Sequence, residues 1–155
     1  MAQGAPALDP NVPANRTVKL DIASRFEMLD MVQTVLGSLS SLLGFDEERA
    51  HYMSVAVRES VVNAIKHGNR FDESKRVMLE FSLHPDAIEV QVRDQGRGFD
   101  PRSVPSPLCE ENLLKPAGRG IFFMKSFMDE VSYSFPPRGG TLVRMVKRLA
   151  DPATP

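Results

Sequence analysis

Three short stretches place chemistry-bearing residues at regular spacing. Glu59, Asn63 and His67 follow one another at intervals of four, with Lys66 beside them. On a helix each such step advances by about 40°, so the three share a stripe. The carboxylate offers a base and the imidazole a donor. The carboxamide oxygen suits a hard cation such as Mg²⁺. Taken alone, such a triplet is most often a solvated helix face. The second stretch is Arg93-Asp-Gln-Gly-Arg-Gly-Phe99, placed directly after an alternating run. Gly96 and Gly98 let backbone approach a flat ligand, and Asp94 at a strand end can accept a hydrogen bond from an amino group. A lone Gly-x-Gly is more often a plain turn, and no Gly-Lys-Ser/Thr follows to make a P-loop. The third is Gly118-Arg119-Gly120 at the opening of a helix. Exposed N–H groups and the positive dipole end there form a natural phosphate seat. Singly, it is more often an ordinary loop-to-helix junction.

The elements that must position these residues are legible from periodicity. Thr17 to Ile22 alternates as a strand. Leu29, Val32, Leu36, Leu39 and Leu43 form one face of an amphipathic helix that ends at Gly44. Asp46 is an N-cap, with Glu47 and Glu48 in the first turn of a second helix. Ala50, Met53, Val57, Val61 and Ala64 line its apolar side, and it ends near Gly68-Asn69. Arg76–Leu83 and Ala87–Val92 alternate as strands joined by the turn His84-Pro85-Asp86, a hairpin. The spacing predicts a helix from Gly120 to about Met128. A second hairpin of Val131–Phe135 and Thr141–Lys147 follows, across Pro136–Gly140. The order β-α-α-β-β-loop-α-β-β predicts a two-layer α/β sandwich, with helices on one face of a mixed, mostly antiparallel sheet.

Composition bounds the function classes. A chain of 155 residues fits one domain with a self-sufficient core. Nineteen basic against twenty acidic residues argue against direct nucleic-acid coating. The single cysteine, Cys109, excludes an internal disulfide and fits a reducing cytoplasm. No apolar run reaches the roughly 20 residues of a membrane span, and the N-terminus does not read as a signal peptide. Prolines crowd the leader, the segment Pro101–Pro116 and the tail. We therefore expect disordered ends at 1–16 and 150–155, an ordered domain over 17–149, and a long irregular loop between the second hairpin strand and the third helix.

The conjunction is more specific than its parts. Glu59-Ser-Val-Val-Asn63-Ala-Ile-Lys-His67-Gly68 on a helix, Asp94-Gln-Gly-Arg-Gly98-Phe99 after a strand, and Gly118-Arg-Gly120-Ile-Phe-Phe-Met124 at a helix start occur in order on matching elements. Together they resemble the N box and the two glycine boxes of the GHKL (Bergerat-fold) ATP-binding superfamily. Within it the chain most resembles the anti-sigma-factor serine/threonine kinases. The resemblance covers about residues 17–149. It is carried further by Glu111-Asn-Leu-Leu-Lys-Pro116 and Phe127-Met-Asp-Glu-Val131.

The resemblance implies a Bergerat ATP-binding fold and roles for single residues. Glu59 would be the general base toward a partner's serine or threonine hydroxyl. Asn63 would coordinate Mg²⁺ on the phosphates of ATP, and Asp94 would accept from the adenine 6-amino group. Gly96 and Gly98 would lie beside the nucleotide. Residues 101–117 would form a lid, and Gly118, Arg119 and Gly120 would hold phosphate. His67 and Lys66 would lie near phosphate or lid. It also implies partners: a sigma factor, an anti-anti-sigma (STAS) protein as phosphoacceptor, and a second copy of the chain in a homodimer. The competing reading is a non-catalytic ATP/ADP-binding module that sequesters a partner.

Overall fold

In β2 (Arg76–Leu83) and β3 (Ala87–Arg93) every second residue is apolar, and these residues are the ones that leave solvent. Val77, Leu79, Phe81 and Leu83 from β2 and Ile88, Val90 and Val92 from β3 are buried on one face of the sheet. The computed structural model describes residues 16–97 and 116–151, and within helix α3 it describes side chains from Gly120 onward. β1 (Thr17–Ala23), β4 (Glu130–Ser134) and β5 (Leu142–Arg148) complete a sheet of order β1-β2-β3-β5-β4. Among the described residues all four pairings are antiparallel. The mostly antiparallel expectation is met at its fully antiparallel limit.

Among the described residues three α-helices cover the apolar face: α1 (Leu29–Leu43), α2 (Glu47–Asn63) and α3 (Pro116–Phe127). α1 stops because Gly44 takes φ +80°, a left-handed C-terminal geometry that a Cβ disfavours. α2 starts because the Asp46 side chain accepts from Arg49 N–H at 2.7 Å. Met53, Ala56, Val57 and Val61 of α2 join Val32, Leu36 and Leu43 of α1 and Met124 of α3 in one core. None of the described helices is long and apolar enough to cross a membrane.

Two features depart from the periodicity reading. α3 begins at Pro116, four residues before the expected start. Proline suits a first helical turn, because its missing N–H would have no partner there and its φ is already helical. Gly118-Arg119-Gly120 is therefore inside the first turns of α3, not ahead of them. The end of α2 runs into a π turn over Ala64–Gly68, where Asn69 N–H donates to Ala64 C=O at 2.7 Å. The π turn breaks the four-residue progression of the polar stripe. β4 and β5 shift from their expected bounds by a single residue, within ordinary end variation.

Candidate functional site

The register of β3 on β5 builds the centre of the site. Arg93 pairs with Leu142, so the next residue of one strand meets the preceding residue of the other. Asp94 N–H donates to Thr141 C=O at 3.1 Å, and Thr141 N–H donates back to Asp94 Oδ1 at 3.2 Å. Gly96 N–H donates to the same Oδ1 at 2.9 Å. Asp94 keeps only 5% of its accessible surface. Burial raises its pKa above the ordinary aspartate value, and the two N–H bonds oppose that rise without cancelling it. Among the described residues Oδ2 accepts no hydrogen bond. The carboxylate lines a small cavity with Ser60 and Ala64 of α2 and the π turn, Gly68, Met124, Tyr133 and Thr141.

Backbone crowds this carboxylate from two sides. A Cβ at Gly68 would lie 2.4 Å from Asp94 Cγ and Oδ2, so the π turn reaches the aspartate only because residue 68 has no side chain. Gly140, at φ +87°, donates its N–H to Gly96 C=O at 2.8 Å, and a Cβ there would lie 2.1 Å from Asp94 C=O. Asn69 ties the approach down. Its Oδ1 accepts from Gln95 N–H at 2.8 Å, and its Nδ2 donates to Ser24 Oγ at 2.8 Å and to Arg76 C=O at 2.9 Å. These bonds hold the loop through Arg70 and Phe71, two non-glycine residues with positive φ.

Glu59 and Asn63 sit together at the other end of the site, both half-buried. Gly120 of α3 lies over them: a Cβ on it would be 3.0 Å from Glu59 Oε2 and 3.2 Å from Asn63 Nδ2. Asn63 also lines the Asp94 cavity, so the two ends are continuous. His67 does not join them. The π turn carries it to the exposed side with Lys66, and its pKa is lowered by partial burial and by Lys66. Gly98, the segment 101–115 and the side chain of Arg119 lie outside the described residues. Among the described residues no group of three or more histidine, cysteine or acidic side chains could hold a metal ion.

Sequence reasoning missed Ser60, Asn69 and Thr141. Thr141 follows Gly139-Gly140, a turn signal just before an alternating run. Only the strand register turns it toward Asp94. Ser60 reads as one more small residue on a helix.

The arrangement offers a buried carboxylate acceptor to an amino donor. A buried acceptor sits beside Val92, Met124 and Val143 with the unpartnered hydroxyls of Ser60 and Thr141 nearby, and the Glu59 carboxylate and Asn63 carboxamide lie under Gly120 of α3. This is the class of nucleotide-binding α/β sandwiches. The description of the histidine kinase-like ATPase domain matches residues 22–147, and the chain belongs to that family. It is 24% identical over 140 residues to the serine-protein kinase RsbW of Oceanobacillus iheyensis, covering 86% of this chain and 87% of the relative. It is 25% identical over 138 residues to RsbW of Bacillus subtilis, covering 85% of each. Its fold is shared with the SiaB–SiaC complex from Pseudomonas aeruginosa (TM-score 0.65, 12% identity, 83% of this chain and 88% of that one). The RsbU and RsbW domains of Rv1364c from Mycobacterium tuberculosis share it too (TM-score 0.64, 19% identity, 88% of this chain). The present chain spans 33% of that longer one.

Proposed function

We propose that this chain is an ATP-dependent protein serine/threonine kinase acting as an anti-sigma factor in a partner-switching system, with a STAS-domain anti-anti-sigma protein as phosphoacceptor. The observation that carries the reading is the packing of Gly120 over Glu59 and Asn63, continuous with the Asp94 pocket. It sets a carboxylate, a carboxamide and the early part of α3 at one end of the cavity that Asp94 lines, which supports reading them as base, oxygen ligand and phosphate seat. The relatives named above are serine-protein kinases, and the match spans 87% and 85% of their lengths.

Asp94 is the acceptor for the adenine amino group, and Thr141 lines the same pocket. Gly96 and Gly98 flank the nucleotide. Gly118, Arg119 and Gly120 hold phosphate, and residues 101–117 act as the lid, although the last two of these belong to α3. Asn63 would hold Mg²⁺, an ion that takes few protein ligands. That ion would supply positive charge against the phosphates. Glu59 takes the proton of the partner's serine or threonine hydroxyl. The hydroxyl oxygen bonds to the γ-phosphorus, the bond to the β,γ-bridging oxygen breaks, and ADP leaves. Lys66 and His67, exposed on the π turn that follows α2, serve phosphate or lid in a lesser role. A homodimer in the cytoplasm binds the sigma factor; direct nucleic-acid or membrane binding is not part of the reading.

The test is Glu59→Ala assayed with γ-labelled ATP and a panel of STAS-domain proteins. Phosphotransfer should fall at least about 10²-fold, the usual contribution of a positioned base. ATP binding should persist. Transfer that survives the substitution removes Glu59 as the base. Wild-type protein that binds ATP and phosphorylates no partner leaves the sequestering module instead.

A further inference from the structure

Among the described residues that are buried, Asp94 and Lys147 are the ones with an ionisable acid or amine. Asp94 belongs to the base pocket; Lys147 lies outside it. Lys147 is 7% exposed and follows Val143 and Met145 at alternate positions of β5, on the side that faces the core. Alternation there calls for an apolar residue, and burying an ammonium is costly unless it is bonded. A local rule broken in this way marks a place where position or function has outweighed packing. The bond is specific. Lys147 Nζ donates to Phe127 C=O at 2.7 Å, with Asp129 Oδ1 3.9 Å away. Phe127 is the last residue of α3, so its carbonyl has no partner within the helix and stands at the negative end of the helix dipole. The chain just beyond is tied to the same strand: Asp129 N–H donates to Val146 C=O at 2.9 Å, and Asp129 Oδ2 accepts from Arg148 N–H at 2.6 Å.

We propose that Lys147 is a positioning residue for the phosphate end of the site: by holding the last carbonyl of α3 it sets where that helix stands along α2, and so where Gly118 and Gly120 lie relative to Glu59 and Asn63. The inference rests on the ATP-dependent kinase reading above. Gly120 precedes Phe127 by about two turns, or about 10 Å of helix axis. Over so short a span the hydrogen-bonded helix moves as one piece, and a shift at its last turn reaches its first. The clearance at Gly120 is small, since a Cβ there would lie 3.0 Å from Glu59 Oε2. Aromatic stacking also joins α3 to α2: Tyr52 lies on Phe127 with ring centroids 4.7 Å apart, and Phe123 on Phe127 at 5.7 Å. Apolar packing is non-directional and tolerates sliding, whereas a hydrogen bond weakens steeply with misalignment. The lysine therefore fixes the axial setting that the stack leaves free. Asp94, bonded by Gly96 and Thr141, does not depend on it.

The experiment is calorimetric titration of wild type, Lys147→Met and Lys147→Gln with ATP and with adenosine, on samples shown to be folded by circular dichroism. Methionine keeps an apolar stem and loses the donor. Glutamine keeps a donor that ends one atom short of the lysine nitrogen. Both variants should weaken ATP binding about tenfold, the range of one hydrogen bond to a charged group. Both should leave adenosine affinity unchanged, because adenosine lacks the phosphates that α3 would hold. Two replacements of different polarity keep a folding failure in one from deciding the result. Equal weakening of both ligands, or failure of both variants to fold, makes Lys147 a residue of general stability and overturns the proposal. Unchanged ATP affinity overturns it too. A wild-type chain that bound neither ligand would instead remove the nucleotide reading on which the inference stands.

Discussion

Glu89 and Asp94 stand on the same stretch of chain, one within β3 and one just past its end, and their surroundings treat them in opposite ways. Burial pushes Glu89 up, but bonds from Gln91 and Arg144 outweigh it and hold its carboxyl below the usual range. Arg144 lies 2.8 Å from Glu89 and 3.1 Å from Glu130, and Arg148 lies 2.9 Å from Glu130. Each of these charges is paired, across three strands. Asp94 is more deeply buried, has no cation bonded to it among the described residues, and keeps a raised pKa. The paired ladder is spent on holding strands together. At the Asp94 corner only backbone N–H groups bond the carboxylate among the described residues. A buried acceptor with a perturbed pKa inside a cavity marks a functional site, whereas a satisfied ion-pair ladder marks structure.

The sharpest way to break this contrast is Gly140→Ala. It forces a left-handed residue and a contact on Asp94 C=O, and should cost about 2–5 kcal/mol of stability in urea unfolding. A loss under about 0.5 kcal/mol would mean the corner is loosely built, and its orphan groups accidental. Asp94→Asn comes next. Asparagine Oδ1 can still accept from Gly96 and Thr141, and the cost of burying a charge disappears. The sign is fixed by the raised pKa. Folded Asp94 keeps its proton to higher pH than the unfolded chain does, so its ionisation opposes folding at neutral pH and not in acid. The variant should melt no lower than wild type at pH 7, while ATP affinity falls by about 1–3 kcal/mol.

The pH dependence sharpens the same point. Wild-type ATP affinity should fall as pH drops through the raised Asp94 pKa, starting above the range of an ordinary aspartate. In Asp94→Asn that component should vanish, with the titration of ATP itself common to both proteins. Identical profiles would remove Asp94 as the titrating acceptor. The smallest effect is expected at the ladder. Arg144→Ala should cost about 0.2–1 kcal/mol, as partly exposed pairs do, and leave ATP affinity unchanged. A large loss of affinity there would make the two regions one.

Most of the elements were legible because each rests on relations between near neighbours. Alternation marked β2 and β3, the Leu29–Leu43 stripe marked α1, and Asp46 and Gly44 marked helix ends. The boxes were legible for the same reason: Glu59 and Asn63 are one helical turn apart, and Asp94 and Gly96 share one strand end. His67 was misplaced because a π turn leaves no periodic signature. The start of α3 was misplaced because glycines read as loop even when a proline ahead of them can open a helix.

By itself, then, the sequence determined which residues could do chemistry and on which kind of element each sits. Spacing of three, four or two along a chain is a local quantity, and burial of one face selects it. Only the tertiary structure decided which of those residues meet. Thr141 reaches Asp94 across 47 positions because β3 and β5 pair in one register, and Gly68 reaches it because a π turn bends α2 toward the strand end. Ser60 is the clearest case. Its place on a helix is written in its neighbours, but its unpaired hydroxyl faces a cavity that exists only once α2, α3 and the sheet have closed around it.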